Sequence, residues 1–203
     1  MKFLLDKSPA ALNKRIEDYP ELIAGQLLTP SGRRKNWGGI FAIDNGAYAG
    51  FDSSAFKRLL ERETPYKDFC LFATVPDIVC NARRTLEIWQ HRHELAPSWP
   101  HALVAQNGIE DLEIPWSAMA ALFIGGDDKF KISQTVVDII KAAQIMNVYV
   151  HVGRVNGPDR FEYFTDLGVD SCDGSGVCKD NGKKLDRIAA WFYKKEDPTL
   201  FAL

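Results

Sequence analysis

Residues 148–155, VYVHVGRV, and residues 167–175, LGVDSCDGS, decide how this chain folds. The first run is β-branched, aromatic and apolar as far as Gly153, which is typical of a buried strand. Residues 158–167 have the spacing of a short amphipathic helix, and Gly168 follows as its stop signal. The pattern predicts a strand–helix–strand unit that delivers Asp173 to the carboxyl end of the second strand. That position suits a catalytic carboxylate in a barrel of strands and helices, but Asp-Gly is also a common turn pair.

Short apolar runs of this kind recur along the chain, and helical patterns lie between several of them. Strands are predicted at 2–5, 25–28, 39–43, 70–75, 102–105, 121–124, 148–152 and 169–172. Helices are predicted at 9–18, 53–62, 81–95, 132–146, 158–167 and 183–194. Strands that alternate with helices indicate an α/β fold with a parallel sheet.

The number of these units predicts a compact (β/α)₈ barrel of the TIM type, with residues 1–203 as a single catalytic domain. The chain is shorter than the ~250 residues typical of such barrels, which leaves room for an incomplete or irregular one. The alternative is an open, doubly wound sheet. The GxGxxG signature of the dinucleotide-binding members of that class is missing from the sequence.

Composition and charge restrict the partners of the chain. It is 46% hydrophobic and 26% charged, as expected for one soluble domain with a sizeable core. The formal net charge of -2 gives no global basic field, so a nucleic-acid partner would need a local basic cluster. No apolar run is long enough to cross a membrane. The 4 cysteines form no CxxC pair, and this spacing favours reduced thiols in the cytoplasm. The sequence indicates no oligomeric state.

Polar residues gather where the predicted strands end. In a barrel these ends converge on one rim, although helix N-caps also need Asp, Asn and Ser at such positions. The side chains of Asp77 and Gln106 could hydrogen-bond the edges of a base, and Gly125-Gly126 would allow a ligand to approach the backbone. The basic residues that could contact phosphates are Arg33, Arg34, Lys129, Lys131 and Arg154.

Five segments in chain order resemble the tRNA-guanine transglycosylase superfamily, especially its short phage-type deazaguanine DNA transglycosylases. They are FAIDNGAY at 41–48, PD at 76–77, VAQNG at 104–108, FIGG through FK at 123–131, and HVGRV through DG at 151–174. These segments cover roughly residues 25–180, which is most of the chain.

The resemblance implies a role for each matching residue. Asp173 matches the carboxylate that attacks the anomeric carbon to form a covalent glycosyl-enzyme, and Asp44 matches the acid/base group beside the exchanged base. A carboxylate can trap the oxocarbenium character that develops on the sugar, and a second can protonate the departing base. The base-binding residues that we expect are Asp77, Gln106, Gly125, Gly126 and Asn45.

The chain departs from the tRNA enzymes after the nucleophile strand. Those enzymes carry a cysteine-rich zinc site there, whereas here only Cys178 follows Asp173. We therefore expect no structural zinc, no other metal and no cofactor. The missing extension also helps those enzymes to bind substrate, so DNA is favoured over tRNA as the partner, with its target nucleotide flipped out of the stack. A free deazaguanine-type base would be the second substrate.

Alternatives to this base exchange stay open. A DNA glycosylase with the same carboxylates would use water as the acceptor and excise a modified base, in phage DNA modification or in anti-phage defence. A sugar-phosphate enzyme could bind phosphate at Gly125-Gly126, but it would need a Schiff-base lysine at a strand end, and the sequence places none there. A catalytically inactive nucleic-acid-binding barrel would not need both carboxylates.

Overall fold

The structure is a computed structural model that describes residues 1–179 and 182–196. Its eight strands run parallel and form a closed barrel in chain order. The strands are β1 (Lys2–Leu5), β2 (Ile23–Leu28), β3 (Phe41–Ile43), β4 (Cys70–Thr74), β5 (His101–Ala105), β6 (Ala121–Ile124), β7 (Tyr149–Val152) and β8 (Ser171–Cys172). β8 closes the barrel by pairing Ser171 with Lys2 and Cys172 with Phe3. The predicted (β/α)₈ barrel is confirmed, and the open doubly wound sheet is excluded.

Helices connect most of the strands. The described helices are α1 (Pro9–Asp18), α2 (Ser53–Glu63), α3 (Ala82–Trp89), α4 (Arg92–Leu95), α5 (Asp128–Lys131), α6 (Gln134–Ile145), α7 (Pro158–Asp166), α8 (Ser175–Lys179) and α9 (Lys183–Glu196). Within the described part of the chain, no helix is both long and apolar enough to cross a bilayer. The predicted domain 1–203 includes residues 180–181 and 197–203, which lie outside the described residues, so its full extent stays a prediction.

Several predicted helices have slightly different limits in the structure, and the differences matter at 81–95 and 132–146. The predicted helix 81–95 is divided into α3 and α4 at residues 90–91, where the His91 N–H donates to Ile88 O at 2.9 Å, three residues back instead of the four of an α-helix. The predicted helix 132–146 begins only at Gln134, because the Ser133 hydroxyl caps it by accepting the Val136 N–H at 3.4 Å. The one-turn helix α5 precedes it and is capped by Asp127.

The barrel is irregular at two connections, which keeps it small. Residues 29–40, all of them described, contain no helix between β2 and β3. The equally well described connection from β5 to β6 contains only the 3₁₀ turns Ile109–Asp111 and Trp116–Ala118. Strand limits also differ from prediction, most at the starts of β2, β3 and β8, because pairing with the neighbouring strands defines where each strand begins.

Side chains alternate between the inside of the barrel and the layer beneath the helices. One buried cluster fills the interior and consists of Leu4, Leu27, Ala42, Phe72, Ala102, Val104, Ala121 and Phe123. Neighbouring residues of the same strands, such as Phe3, Leu103 and Leu122, belong to the larger cluster shared with the helices. Since the interior is filled by side chains, the barrel is not a pore, and a ligand must bind at its end.

Candidate active site

A cavity of about 310 Å³ lies at the carboxyl end of the barrel. All eight strands contribute to its lining, most of them through the residue that directly follows the strand. One lining residue from each strand end, in chain order, gives the set Asp6, Thr29, Asp44, Asp77, Gln106, Gly125, Gly153 and Asp173. The structure thus brings the polar residues predicted at strand ends to one rim.

Asp173 sits at the end of β8 with both carboxylate oxygens in contact with the protein. Its Oδ2 lies 3.1 Å from Nε2 of His151, and its Oδ1 accepts the backbone N–H of Arg154 at 3.2 Å. The side chain is 14% exposed and faces the cavity. These contacts fix the direction of the carboxylate while leaving it within reach of a ligand.

His151 is a site residue that the sequence reading did not assign. It is fully buried inside the barrel, where its Nδ1 lies 2.8 Å from the Ser171 hydroxyl and its ring packs against Phe72 and Phe123. β7 and β8 pair His151 with Ser171, so the imidazole reaches Asp173 two residues further along β8. The alternation of inward residues in neighbouring parallel strands was the signal that could have found it.

Asp44 follows β3 and has a different environment from Asp173. Burial raises its pKa to about 7; the Gly46 N–H, which donates to Oδ1 at 3.0 Å, opposes this shift, and the nearby negative charges of Asp173 and Asp77 add to it. Gly46 can make this close turn because its φ of 78° is accessible to glycine. Near neutral pH, Asp44 is therefore a carboxyl group that can hold or release a proton.

Asp77 is held by two side-chain amides. Its Oδ1 accepts from Nδ2 of Asn45 at 2.9 Å, and its Oδ2 accepts from Nε2 of Gln106 at 2.6 Å. Burial raises the pKa of Asp77, and these two hydrogen bonds oppose that shift. Asp77 is thus a rigidly oriented acceptor on the cavity wall.

Asn45 and Gln106 differ from the expectation that their amides contact a base directly. The amide group of Asn45 is committed, with Nδ2 donating to Val75 O and Asp77 and Oδ1 accepting the Ala47 N–H. Oε1 of Gln106 accepts the N–H groups of Cys80 and Gly126, at 2.7 and 3.0 Å. The main contribution of both residues is to position Asp77, because that carboxylate and nearby backbone groups take up most of their hydrogen-bonding capacity.

Gly125 and Gly126 line the cavity, but their N–H groups are not available for a base or a phosphate. Gly125 donates to Ala105 O at 3.0 Å, and Gly126 donates to Gln106. A Cβ on Gly125 would lie 2.7 Å from Cγ1 of Val104 and 2.8 Å from Nε2 of Gln106. The close approach that requires glycine is therefore made by the protein's own side chains, and contacts of the Gly125-Gly126 backbone with a base stay a prediction.

The predicted basic set separates into surface residues and one buried residue. Arg33 and Lys129 are exposed, Arg34 pairs with Asp6 at 3.2 Å on the cavity wall, and the guanidinium of Arg154 lies 4.4 Å from the ring centre of Tyr48. These four positions are compatible with contacts to a nucleic-acid backbone.

Lys131 does not lie on the surface as expected. It is 1% exposed, and its Nζ donates to the carbonyl of Gly153 at 2.6 Å. The reason is the one-turn helix α5, which begins at the Asp127 cap and turns the Lys131 side chain back towards β7. A lysine thus borders the cavity close to the end of β6, where the sequence reading placed none.

Within residues 1–179 and 182–196, no group of three or more His, Cys, Asp and Glu side chains is arranged to hold a metal ion. The expectation of a metal-independent site stays a prediction.

No protein-family model matches the chain, and no curated protein matches it. Among solved structures, a glycerophosphodiester phosphodiesterase from Parabacteroides distasonis ATCC 8503 is similar, with 15% identity and a TM-score of 0.43 over 85% of this chain and 61% of that chain. The chain spans about three fifths of the length of that protein. At this distance the likeness carries no information on activity.

Proposed function

We propose that the protein cleaves the N-glycosidic bond of a nucleobase in DNA and exchanges guanine for a deazaguanine-type base. The observation that carries the proposal is the pair of carboxylates at one cavity in contrasting environments. Burial makes Asp44 a proton carrier near neutral pH, whereas Asp173 is oriented by His151 and by the Arg154 N–H. Two carboxyl groups with different environments are what general acid and nucleophilic roles require.

In the proposed reaction, a carboxylate oxygen of Asp173 attacks the anomeric carbon of the flipped nucleotide. The bond from this carbon to the base nitrogen breaks, and Asp44 transfers its proton to the departing guanine. The incoming base then gives a proton to Asp44 as its nitrogen attacks the same carbon, which releases Asp173 and restores both groups. Retention of configuration follows from the two displacements.

Base recognition would depend on Asp77 and Tyr48. Asp77 presents carboxylate oxygens that suit the N–H groups on a purine-like edge, and Asn45 and Gln106 keep it in place. Tyr48 is 68% exposed beside the cavity, so that a flipped base can stack on the face of its ring opposite Arg154. A cavity of about 310 Å³ has room for one base rather than for a longer oligonucleotide.

Mass spectrometry of DNA tests this function. Duplex and single-stranded oligonucleotides are incubated with the protein, with and without a free deazaguanine base and with isotope-labelled guanine. Base exchange supports the proposal, and abasic sites formed without added base would replace it by hydrolytic excision. DNA left unchanged under all conditions, while the parent protein and Asp173→Asn behave identically, would overturn both.

A further inference from the structure

Lys131 is a buried cation that the proposed reaction does not use. It lies at the end of α5, is 1% exposed and borders the cavity. The charged groups that surround it come from several elements and are Asp128 on α5, Arg154 after β7, Arg160 on α7 and Asp173 after β8. A buried ammonium is costly unless it has a specific partner, so its one short contact requires an explanation.

That partner is the peptide group between Gly153 and Arg154. Lys131 Nζ donates to the Gly153 carbonyl at 2.6 Å, and the N–H of the same peptide group donates to Oδ1 of Asp173 at 3.2 Å. In a planar trans peptide the C=O and the N–H point in opposite directions. One peptide unit therefore links Lys131 to the candidate nucleophile, with a contact at each end.

The orientation of this peptide is not one that the chain adopts by default. Arg154 has a φ of 68°, in the left-handed region that L-residues with a side chain rarely occupy. The alternative orientation would turn the N–H away from Asp173. The Lys131 contact on one side and the Asp173 contact on the other are the interactions that favour the observed one.

We infer that Lys131 is a positioning residue for Asp173: its ammonium holds and polarises the Gly153–Arg154 peptide so that the N–H stays directed at the carboxylate. The catalytic consequence rests on the proposed function, whereas the control of the peptide does not. The amine itself is no nucleophile in this arrangement, because it is buried and bound to the Gly153 carbonyl.

The charge of Lys131, and with it the polarisation of the Gly153–Arg154 peptide, depends on pH. Burial is the main cause that lowers the pKa of Lys131, to about 8; Asp173 and Asp128 oppose the shift, while Arg154 and Arg160 add to it. Above that pH the ammonium becomes a neutral amine, which polarises the carbonyl less. The Arg154 N–H then becomes a weaker donor to Asp173.

Nuclear magnetic resonance of protein labelled with ¹⁵N-arginine tests the contact without any substrate. The Arg154 amide is assigned as the signal that Arg154→Lys removes. We expect its proton to shift upfield as the pH of the parent rises through about 8, and to lie upfield at every pH in Lys131→Met. Lys131→Arg should restore the downfield position without this titration. The inference would be overturned if the chemical shift of the Arg154 amide proton does not change with pH in the parent and is the same in a folded Lys131→Met variant.

Single-turnover kinetics test the catalytic consequence. Lys131→Met should slow formation of the covalent glycosyl-enzyme by about 10²-fold with little change in DNA affinity, since a misplaced reacting group affects the chemical step. Added methylamine should restore part of the rate in Lys131→Ala. The matched control is Lys141→Met, at an exposed position on α6.

A borohydride-trapped DNA adduct on Lys131 would make it a nucleophile and overturn the positioning role. If the parent acts on no DNA, the proposed function fails while the amide titration still decides the inference.

Discussion

At the scale of single residues, Asp173 is the position on which the proposed chemistry depends most. Asp173→Asn keeps the shape of the side chain but removes the carboxylate that would bond to the sugar. We expect turnover and the covalent adduct to disappear while DNA binding stays within a few-fold, as measured by intact mass spectrometry and by titration of labelled DNA. Asp138→Asn, an exposed change on α6, is the control. Turnover that survives in Asp173→Asn would remove Asp173 from the nucleophile role.

Asp44 gives the activity a dependence on pH. Since burial raises its pKa to about 7, the protonated acid is the main form below that pH and is lost above it. The rate of base release should therefore fall as the pH rises through about 7. Single-turnover rates measured for Asp44→Asn should be low and should not fall as the pH rises through about 7. A parent rate that rises steadily from pH 6 to 9 would contradict the general-acid assignment.

The same residue makes stability depend on pH. Between the ordinary value of 3.8 and about 7, the folded protein retains the Asp44 proton that the unfolded chain has released. The free energy of unfolding therefore falls as pH rises through this window. After allowance for partial solvent exposure, the free energy of unfolding of Asp44→Asn should exceed that of the parent by roughly 2 kcal/mol above neutral pH. Below about pH 4 the two values should be equal. Urea unfolding at several pH values checks this, and equal stabilities at pH 8 would refute it.

At the scale of elements, the loop after β2 and the short helix after β6 carry the basic surface. Buried Gln26 orders the loop by donating to Lys35 O at 2.9 Å and accepting the Trp37 N–H at 3.1 Å. This loop presents Arg33 to solvent, and α5 presents Lys129. The two cations are therefore placed on preformed elements rather than on a free chain.

We expect Arg33→Ala and Lys129→Ala each to reduce the slope of log affinity against log salt by about 0.9 on duplex DNA, because each phosphate contact releases counterions. Lys131→Met should leave the slope unchanged, since the structure buries that side chain. Fluorescence anisotropy over a range of salt concentrations measures these slopes. Unaltered slopes in the first two variants would move the DNA path to another face of the barrel.

At the scale of the whole molecule, the seam between β1 and β8 closes the barrel with few pairs. Lys2 and Phe3 are the residues of β1 that pair there, and Phe3 is fully buried with its ring stacked on Phe161 at 5.2 Å. Phe3→Ala should lower the free energy of unfolding by about 3–5 kcal/mol. It should also impair activity, because Asp173 follows directly on β8. Denaturant unfolding measures the first effect, and Phe69→Ala, at a half-exposed position, is the control. If both variants lose the same free energy of unfolding, the β1–β8 seam does not contribute more to stability than the surface does.

The sequence by itself determined the barrel and the contents of its rim. Alternating apolar runs and helical patterns were sufficient because period and length are local properties, and a residue that follows a parallel strand must lie at the rim. Asp44, Asp77, Gln106 and Asp173 could be placed in this way before any contact was known. Their proposed roles came from the resemblance.

Only the tertiary structure decided what each rim residue touches. The contact of His151 with Asp173 depends on the register between β7 and β8, and the inward turn of Lys131 depends on where α5 begins. The commitment of Asn45 and Gln106 to Asp77 depends on three neighbouring strand ends meeting at hydrogen-bond distance. The physical reason is common to all of them: the free energy of a polar side chain is set by partners that are distant in sequence, and a local pattern contains no information about those partners.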